Sequence, residues 1–225
     1  MCVRPKVTSH KGESDNRNMH AELLPLFPLS LVLLPQNIVP LHIFEERYKE
    51  LIGEAMANHT EFGIVLAATD GILNVGCTAS VERLLRRYDD GRMDILALGR
   101  RRFQVQDLDQ ERSFLRAQVE YFEDTEEFAA EELQSKARDV HDRYESSGDL
   151  PTQGGLLSFM LSQSVRDLDF RQQLLMSRSE SERLRMLIGF LPKQRERERY
   201  VVQMKELAPR NGHGKHGPDT AGDAG

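Results

Sequence analysis

Only two cysteines, Cys2 and Cys77, occur in 225 residues. One lies in a polar leader and the other in a strand-like run, so no structural disulfide is expected and a reducing cytoplasm is the natural setting. Long apolar runs are missing too. The longest, Leu23 to Leu34, contains Pro25 and Pro28 and is too short to span a bilayer. Basic residues precede it (Arg4, Lys6, Lys11, Arg17), as in a secretory signal, but no small-residue cleavage site follows. Positive charge is in deficit. The formal net charge of −6 argues against broad attraction to nucleic acid or to anionic membranes. The phosphate-binding pattern G-x-x-x-x-G-K-[ST] is absent, because Gly214-Lys215 lacks the upstream glycine, and no G-x-S-x-G elbow occurs. Neither a phosphate-loop ATPase nor a nucleophile-elbow hydrolase is expected. No internal repeat is visible.

What is present starts with Leu24 to Tyr48, where four prolines (Pro25, Pro28, Pro35, Pro40) sit among Leu, Ile, Val and Phe. Proline gives no N–H to a sheet ladder, which excludes a long central strand or a helix and leaves short extended pieces joined by corners. Strands are expected at 24–34 and 41–44, around a Pro35-Gln36-Asn37 corner. From Glu45, Tyr48, Leu51, Ile52, Ala55 and Met56 recur with helical spacing, and Glu45 and Glu46 suit the first turn. Phe44 and Leu51 are expected to tie the first strands to this helix. Arg47 is expected to pair with an acid on the barrel, and Tyr48 to pack inward.

Further strands follow at Phe62 to Ala68, Val75 to Arg87 (with a bulge at Leu84-Leu85), Arg92 to Leu98, Arg102 to Val105 and Ser113 to Phe122. Asp89-Asp90-Gly91 is a hairpin turn, since Asp and Gly accept positive φ. Short antiparallel strands with one early helix suggest a closed or nearly closed small barrel. Beyond Asp124 the pattern turns helical: Phe128 to Tyr144, then Leu156 to Leu161, Leu168 to Met176, and a helix opened by the capping box Ser179-Glu180-Ser181-Glu182. Pro192 is expected to end or kink that helix, with a charged, solvated helix from Lys193 to Leu207. Residues 1–20 are expected to form a disordered leader, in which Met19 is a second candidate start, and residues 208–225 a disordered tail.

LPLFPL at 24–29, LP at 34–35 and PLHIFEERY at 40–48 resemble the opening of the Lon protease N-terminal domain. The likeness continues with Phe62-Gly63, Val75-Gly76, Asp90-Gly91-Arg92, Gly99, Arg102-Phe103 and Val119-Glu120-Tyr121. The chain departs at Gln36, where that family usually has Gly, and at Glu46, where Pro is common. The resemblance implies an α+β fold: a PUA-like β pseudo-barrel over 22–124 with one early helix, followed by a C-terminal α-helical bundle over 125–207. It also implies a non-catalytic part that recognises unfolded or degron-bearing polypeptide. The ATPase and Ser–Lys protease modules of Lon are not expected within these 225 residues. The expected roles are protein quality control or an adaptor that docks on a protease or ATPase. No cofactor and no membrane are implied.

The candidate peptide contacts in this reading are Leu26, Phe27, Pro28, Pro40, His42 and Phe44. His42 has two readings, a histidine that orients the strand by hydrogen bonding and a residue at the mouth of a groove. Arg100-Arg101-Arg102 carries the alternative, an RNA-binding PUA-like module. Against RNA, no aromatic residue interleaves these arginines to stack bases, and a solvated charged face is the competing reading. His141 and Glu145 have i, i+4 spacing, but no further ligand stands nearby, so no metal site is expected. Cys77 reads as a small buried core residue.

Overall fold

The computed structural model describes the backbone of Cys2–Val3 together with residues 23–125, 129–144 and 156–207. Its strands are β1 (Cys2–Val3), β2 (Leu24–Leu29), β3 (Ile38–Ile43), β4 (Phe62–Ala68), β5 (Gly71–Arg87), β6 (Met93–Asp109) and β7 (Arg116–Tyr121). The helices are α1 (Glu46–Asn58), α2 (Glu131–Tyr144), α3 (Leu157–Leu161), α4 (Leu168–Met176) and α5 (Glu180–Leu207). The sheet order is β1-β5-β4-β2-β7-β6-β3, and a further β5–β6 pairing closes β5, β4, β2, β7 and β6 into a ring. The barrel expected from the strand pattern is therefore present. β2 runs parallel to β4, a pairing that requires a crossover, and β3 with α1 supplies it.

The Pro-rich opening is divided differently from the expectation. β2 ends at Leu29, and Val32, Leu33 and Leu34 leave the sheet to enter the core as non-strand chain. Asn37 N donates to Leu34 O at 3.1 Å, closing a turn over Pro35 and Gln36. Proline at the second position and φ 64° at Gln36 are the type II pattern, which favours glycine at the third position. That is why glycine suits this site, and why Gln36 departs from the usual residue at a conformational cost. Gly99 faces the same corner. A Cβ there would lie 2.2 Å from Leu34 O, so the chain can only approach this closely over glycine. The other departure, Glu46, is the first residue of α1, a position that proline also tolerates.

β5 and β6 each run 17 residues and change partners along their length. β6 pairs with β3 over Met93 to Leu98 and with β7 from Phe103 onward, so Gly99 does not end the strand as expected. The expected bulge is found between Leu84 and Arg86, with another between Val81 and Arg83. Tyr48, Leu51, Ile52 and Ala55 of α1 share a core with Ile43, Met93 and Ile95. Cys77 is fully buried in that core, and burial pushes its thiol up to about 12. A second barrel cluster gathers Leu24, Leu26, Val65 and Phe103, and α2 to α5 enclose a third around Ala137, Leu161, Leu174 and Leu184.

The helices follow the sequence pattern with two differences. α5 runs on through Pro192 instead of ending there. At its start Ser179 Oγ accepts from Glu182 N at 3.3 Å, but the Glu182 carboxylate accepts from Ser177 Oγ, so the capping box is only half formed. Part of the leader expected to be disordered is ordered: Cys2–Val3 pairs with Leu73 and Ile72. The rest of 1–22, Phe128, Glu145 and the tail 208–225 lie outside the described residues. No described helix is long and apolar enough to cross a membrane.

Polar contacts fasten helices to barrel. Arg102 on β6 and Arg183 on α5 both donate to Asp124, in the segment leaving the barrel. Arg183 also reaches Glu180 at 2.7 Å and Ser158 Oγ at 2.8 Å, while Arg102 donates to Ser177 O at 2.6 Å. Both guanidinium groups lie over the Phe159 ring. Asn37 Nδ2 donates to Phe159 O at 3.1 Å, and Gln172 Nε2 to Val75 O at 3.0 Å. Burial alone would raise the Asp124 carboxyl, but the Arg183 hydrogen bonds and the two arginine charges outweigh it and hold the carboxyl below its ordinary value. A depressed carboxylate contributes stability that is complete above its unfolded pKa of about 3.9 and lost as pH falls through the folded value. Asp124→Asn should therefore cost about 3–5 kcal/mol at neutral pH, and the gap to the parent should close below about pH 4. Urea unfolding across a pH series checks this; a gap that stays constant into acid would remove Asp124 from the ion network.

Candidate functional site

Successive side chains of a strand point to opposite faces, and β3 divides accordingly. Leu41 and Ile43 are buried against α1 and the barrel, whereas Ile38, Pro40 and His42 face outward. Phe44 prolongs the outward row. Ile38 is 55% exposed and Phe44 60% exposed, high values for apolar side chains. Across the sheet, Leu98 stands opposite Ile38 and Leu96 opposite Pro40, both half-buried, so the apolar surface continues onto β6.

Among the described residues β3 is also the free margin of the sheet, paired with β6 alone. Gly99 N donates to Asn37 O, and bonded pairs recur at every second residue of an antiparallel ladder. The backbone polar groups of Ile38, Pro40 and His42 therefore turn toward the open edge. Pro40 costs the ladder nothing there, because its missing N–H would have pointed away from β6.

His42 is held on this face. Its Nδ1 lies 2.6 Å from Asp94 Oδ1, directly across the strands, and Asp94 Oδ2 accepts from Tyr88 Oη at 2.7 Å. The hydrogen bonds from His42 and Tyr88 hold the Asp94 carboxyl below its usual range, and the same bond to Asp94 pushes the Tyr88 hydroxyl up. The His42 ring stacks on Phe44 at 6.0 Å and meets Tyr88 edge-on at 6.1 Å. His42 thus holds a cross-strand hydrogen bond and stays exposed on the outer face.

The six candidate contacts separate into three places. Leu26 and Phe27 are core residues, which corrects the expectation that they touch a ligand: Leu26 packs in the barrel and Phe27 lies 4.1 Å from the Tyr48 ring. Pro28 lines a pocket of about 340 Å³ with Tyr48, Ile72 and Leu115, away from the others. Pro40, His42 and Phe44 come together, and Ile38 joins them. Ile38 was missed because its strand reads as apolar on both faces; the alternation of Ile38, Pro40, His42 and Phe44 was the available signal. Arg47 lies over the Tyr48 ring and pairs with Glu45, just before α1, instead of the expected acid on the barrel.

The three arginines diverge. Arg100 reaches Ser80 and Glu82, Arg101 binds Glu61 and covers the Tyr121 ring, and Arg102, 3% exposed, joins the Asp124 network. They form neither one solvated face nor one phosphate-binding stripe. His141, the residue weighed for zinc, is buried with Nδ1 3.3 Å from Asp142.

A family model described as the ATP-dependent protease La (LON) substrate-binding domain matches residues 23–193. Among solved structures, the chain is similar to a Lon N-terminal domain protein from Xanthomonas campestris, at 26% identity and TM-score 0.64, over 76% of this chain and 99% of that one. It is also similar to the N-terminal domain of Mycobacterium avium complex Lon protease, at 19% identity and TM-score 0.56, over 76% and 98%. The second likeness concerns the fold alone. The matched span runs through the barrel and into α5, past the stretch 22–124 where the sequence motifs concentrate.

Phe44 was expected in the core, and its exposure corrects that. Leu51 was also expected there and is 1% exposed. Leu51→Ala should cost about 2–5 kcal/mol, through lost transfer energy and a residual cavity, while Phe44→Ala should cost under about 1 kcal/mol. Urea unfolding of the two variants reads the difference; equal losses would place Phe44 in the core after all.

Proposed function

The chain belongs to the Lon substrate-binding domain family, and from that we propose that it is a non-catalytic module that recognises unfolded or degron-bearing polypeptide in the cytoplasm. The observation that carries this reading is the outward face of β3. It offers an unpaired backbone edge beside exposed Ile38 and Phe44, with Pro40, Leu96 and Leu98 between them. An extended segment laid on such an edge gains main-chain hydrogen bonds, and its alternate side chains meet the apolar surface. Pro40 interrupts the row of donors, which limits promiscuous pairing by other strands.

The work of such a module lies in protein quality control or in delivering polypeptide to a protease or ATPase. For the adaptor role, the far end of α5 exposes Tyr200, Val201, Val202 and Met204, an apolar surface suited to a partner. RNA binding loses its support, because Arg100 and Arg101 pair with acids and Arg102 is buried. The rings of this region already carry protein cations, with Arg86 and Arg92 over Tyr88.

The test is a titration of fluorescently labelled, chemically unfolded casein against the parent and the double variant Ile38→Ser/Phe44→Ser. Binding should depend weakly on salt and carry a negative heat-capacity change. The double variant should lose about tenfold or more in affinity, since burying either side chain is worth about 1.5–3 kcal/mol. Its unfolding midpoint should stay close to the parent's. Undiminished casein binding by a folded double variant would remove β3 from the site.

A further inference from the structure

Arg171 on α4 is a buried cation without an anion. It is 8% exposed, yet no carboxylate among the described residues pairs with it. Its Nε donates to Val32 O at 3.0 Å, and Nη1 donates to Ser162 O at 3.0 Å and Val165 O at 3.1 Å. Those carbonyls position the guanidinium but leave its charge uncompensated, and among the described residues Nη2 has no acceptor. Burial depresses its pKa, but a guanidinium stays charged in a protein. A buried ion normally has a partner, because desolvation without one is expensive.

The side chain lines a pocket of about 390 Å³ between the start of β3 and the α3–α4 connection. Leu31, Val32, Ile38, Val39, Val165 and Leu168 make its walls apolar, and Asn37, Gln163 and Arg166 complete them. Among the described residues no acid lines it. The acids closest in sequence are exposed Asp167, occupied in capping α4 through Phe170 N at 2.9 Å, and exposed Asp169. Arg166 is exposed and makes no ion pair among the described residues. Two unpaired guanidinium groups thus border one apolar cavity, which adjoins the outward face of β3 through Ile38.

We propose that this pocket receives the C-terminal carboxylate of a bound polypeptide, together with an apolar last side chain. This deepens the polypeptide reading above and rests on it. Arginine is the donor best suited to a carboxylate, through two parallel N–H bonds. A carboxylate and an apolar side chain on one residue occur only at a chain's end, whereas an internal Asp or Glu brings the acid without the apolar group. With the carboxylate beside Ile38 and the preceding residues running toward Phe44, the added strand lies antiparallel to β3. The module would then read chain ends, not any extended segment.

The experiment uses the full chain and three labelled peptides: one ending in leucine with a free carboxylate, the same peptide amidated, and an amidated form with an internal aspartate. The free acid should bind about tenfold or more tighter than either amide, the ratio expected for loss of a charge-assisted hydrogen bond. Arg166→Gln should weaken the free acid several-fold and leave the amides unchanged, with no change in unfolding midpoint. Arg171→Gln removes three contacts to the neighbouring chain and risks the fold, so the peptide comparison and Arg166→Gln carry the test. Equal binding of acid and amide overturns the proposal, as does tighter binding of the internal-aspartate peptide or binding of none of the three. Unfolded casein, titrated in parallel, separates this failure from that of the broader reading: casein binding without acid preference leaves β3 as the site and excludes the pocket.

Discussion

The structure depends on the buried ion cluster in which Asp124 receives Arg102 from the barrel and Arg183 from α5, with Glu180 balancing the second cation. Two positive and two negative side chains stand here largely buried. Each charge is tolerable only because the others are in place, and removing one leaves its partner exposed to the full desolvation penalty. Such a cluster specifies geometry more than it adds stability. Arg102 and Arg183 both donate to Ser177 O and both lie over Phe159, so α3, α4 and α5 meet the barrel in one arrangement.

That arrangement leaves β3 open. Asn37 is tied to Phe159 and Val32 to Arg171, which fixes both ends of the turn leading into the strand. The inner face of β3 is sealed by α1, and β6 takes one edge. Among the described residues the other edge and the outer face keep no partner strand, although Ile38 and Phe44 would be among the first side chains a fold would bury. Rigid support behind an unfilled apolar surface is what a binding element needs, since little ordering cost remains to be met when the ligand arrives.

Much of the fold was legible in the sequence because it rests on local rules. The 3.6-residue period of α1, the Asp89-Asp90-Gly91 turn and the exact span of β4 follow from patterning, and the Pro-rich motif named the family. Even the two departures from that family have physical readings, Gln36 at positive φ and Glu46 at the first turn of a helix. The site was less legible. Leu26, Phe27, Pro40 and Phe44 are all apolar or proline in one run, and burial among them is decided by which neighbours arrive from distant sequence. Arg100, Arg101 and Arg102 look alike on paper; their separate fates depend on Glu82, Glu61 and Asp124, up to 40 residues away in sequence. Arg171 gave no signal at all, since a lone arginine in a short helix reads as surface. Its burial and lack of a counter-ion come from tertiary packing alone.

The central claim is that polypeptide is bound as an added strand on the edge of β3. Residue-resolved amide hydrogen exchange, with and without saturating unfolded casein, measures this directly. Strand addition predicts slowed exchange at Ile38 and His42, whose N–H groups face the open edge, and little change at Val39, Leu41 and Ile43, already bonded to β6. Protection confined to the Arg100–Arg101 surface or to the end of α5, with Ile38 and His42 exchanging as before, would contradict the account.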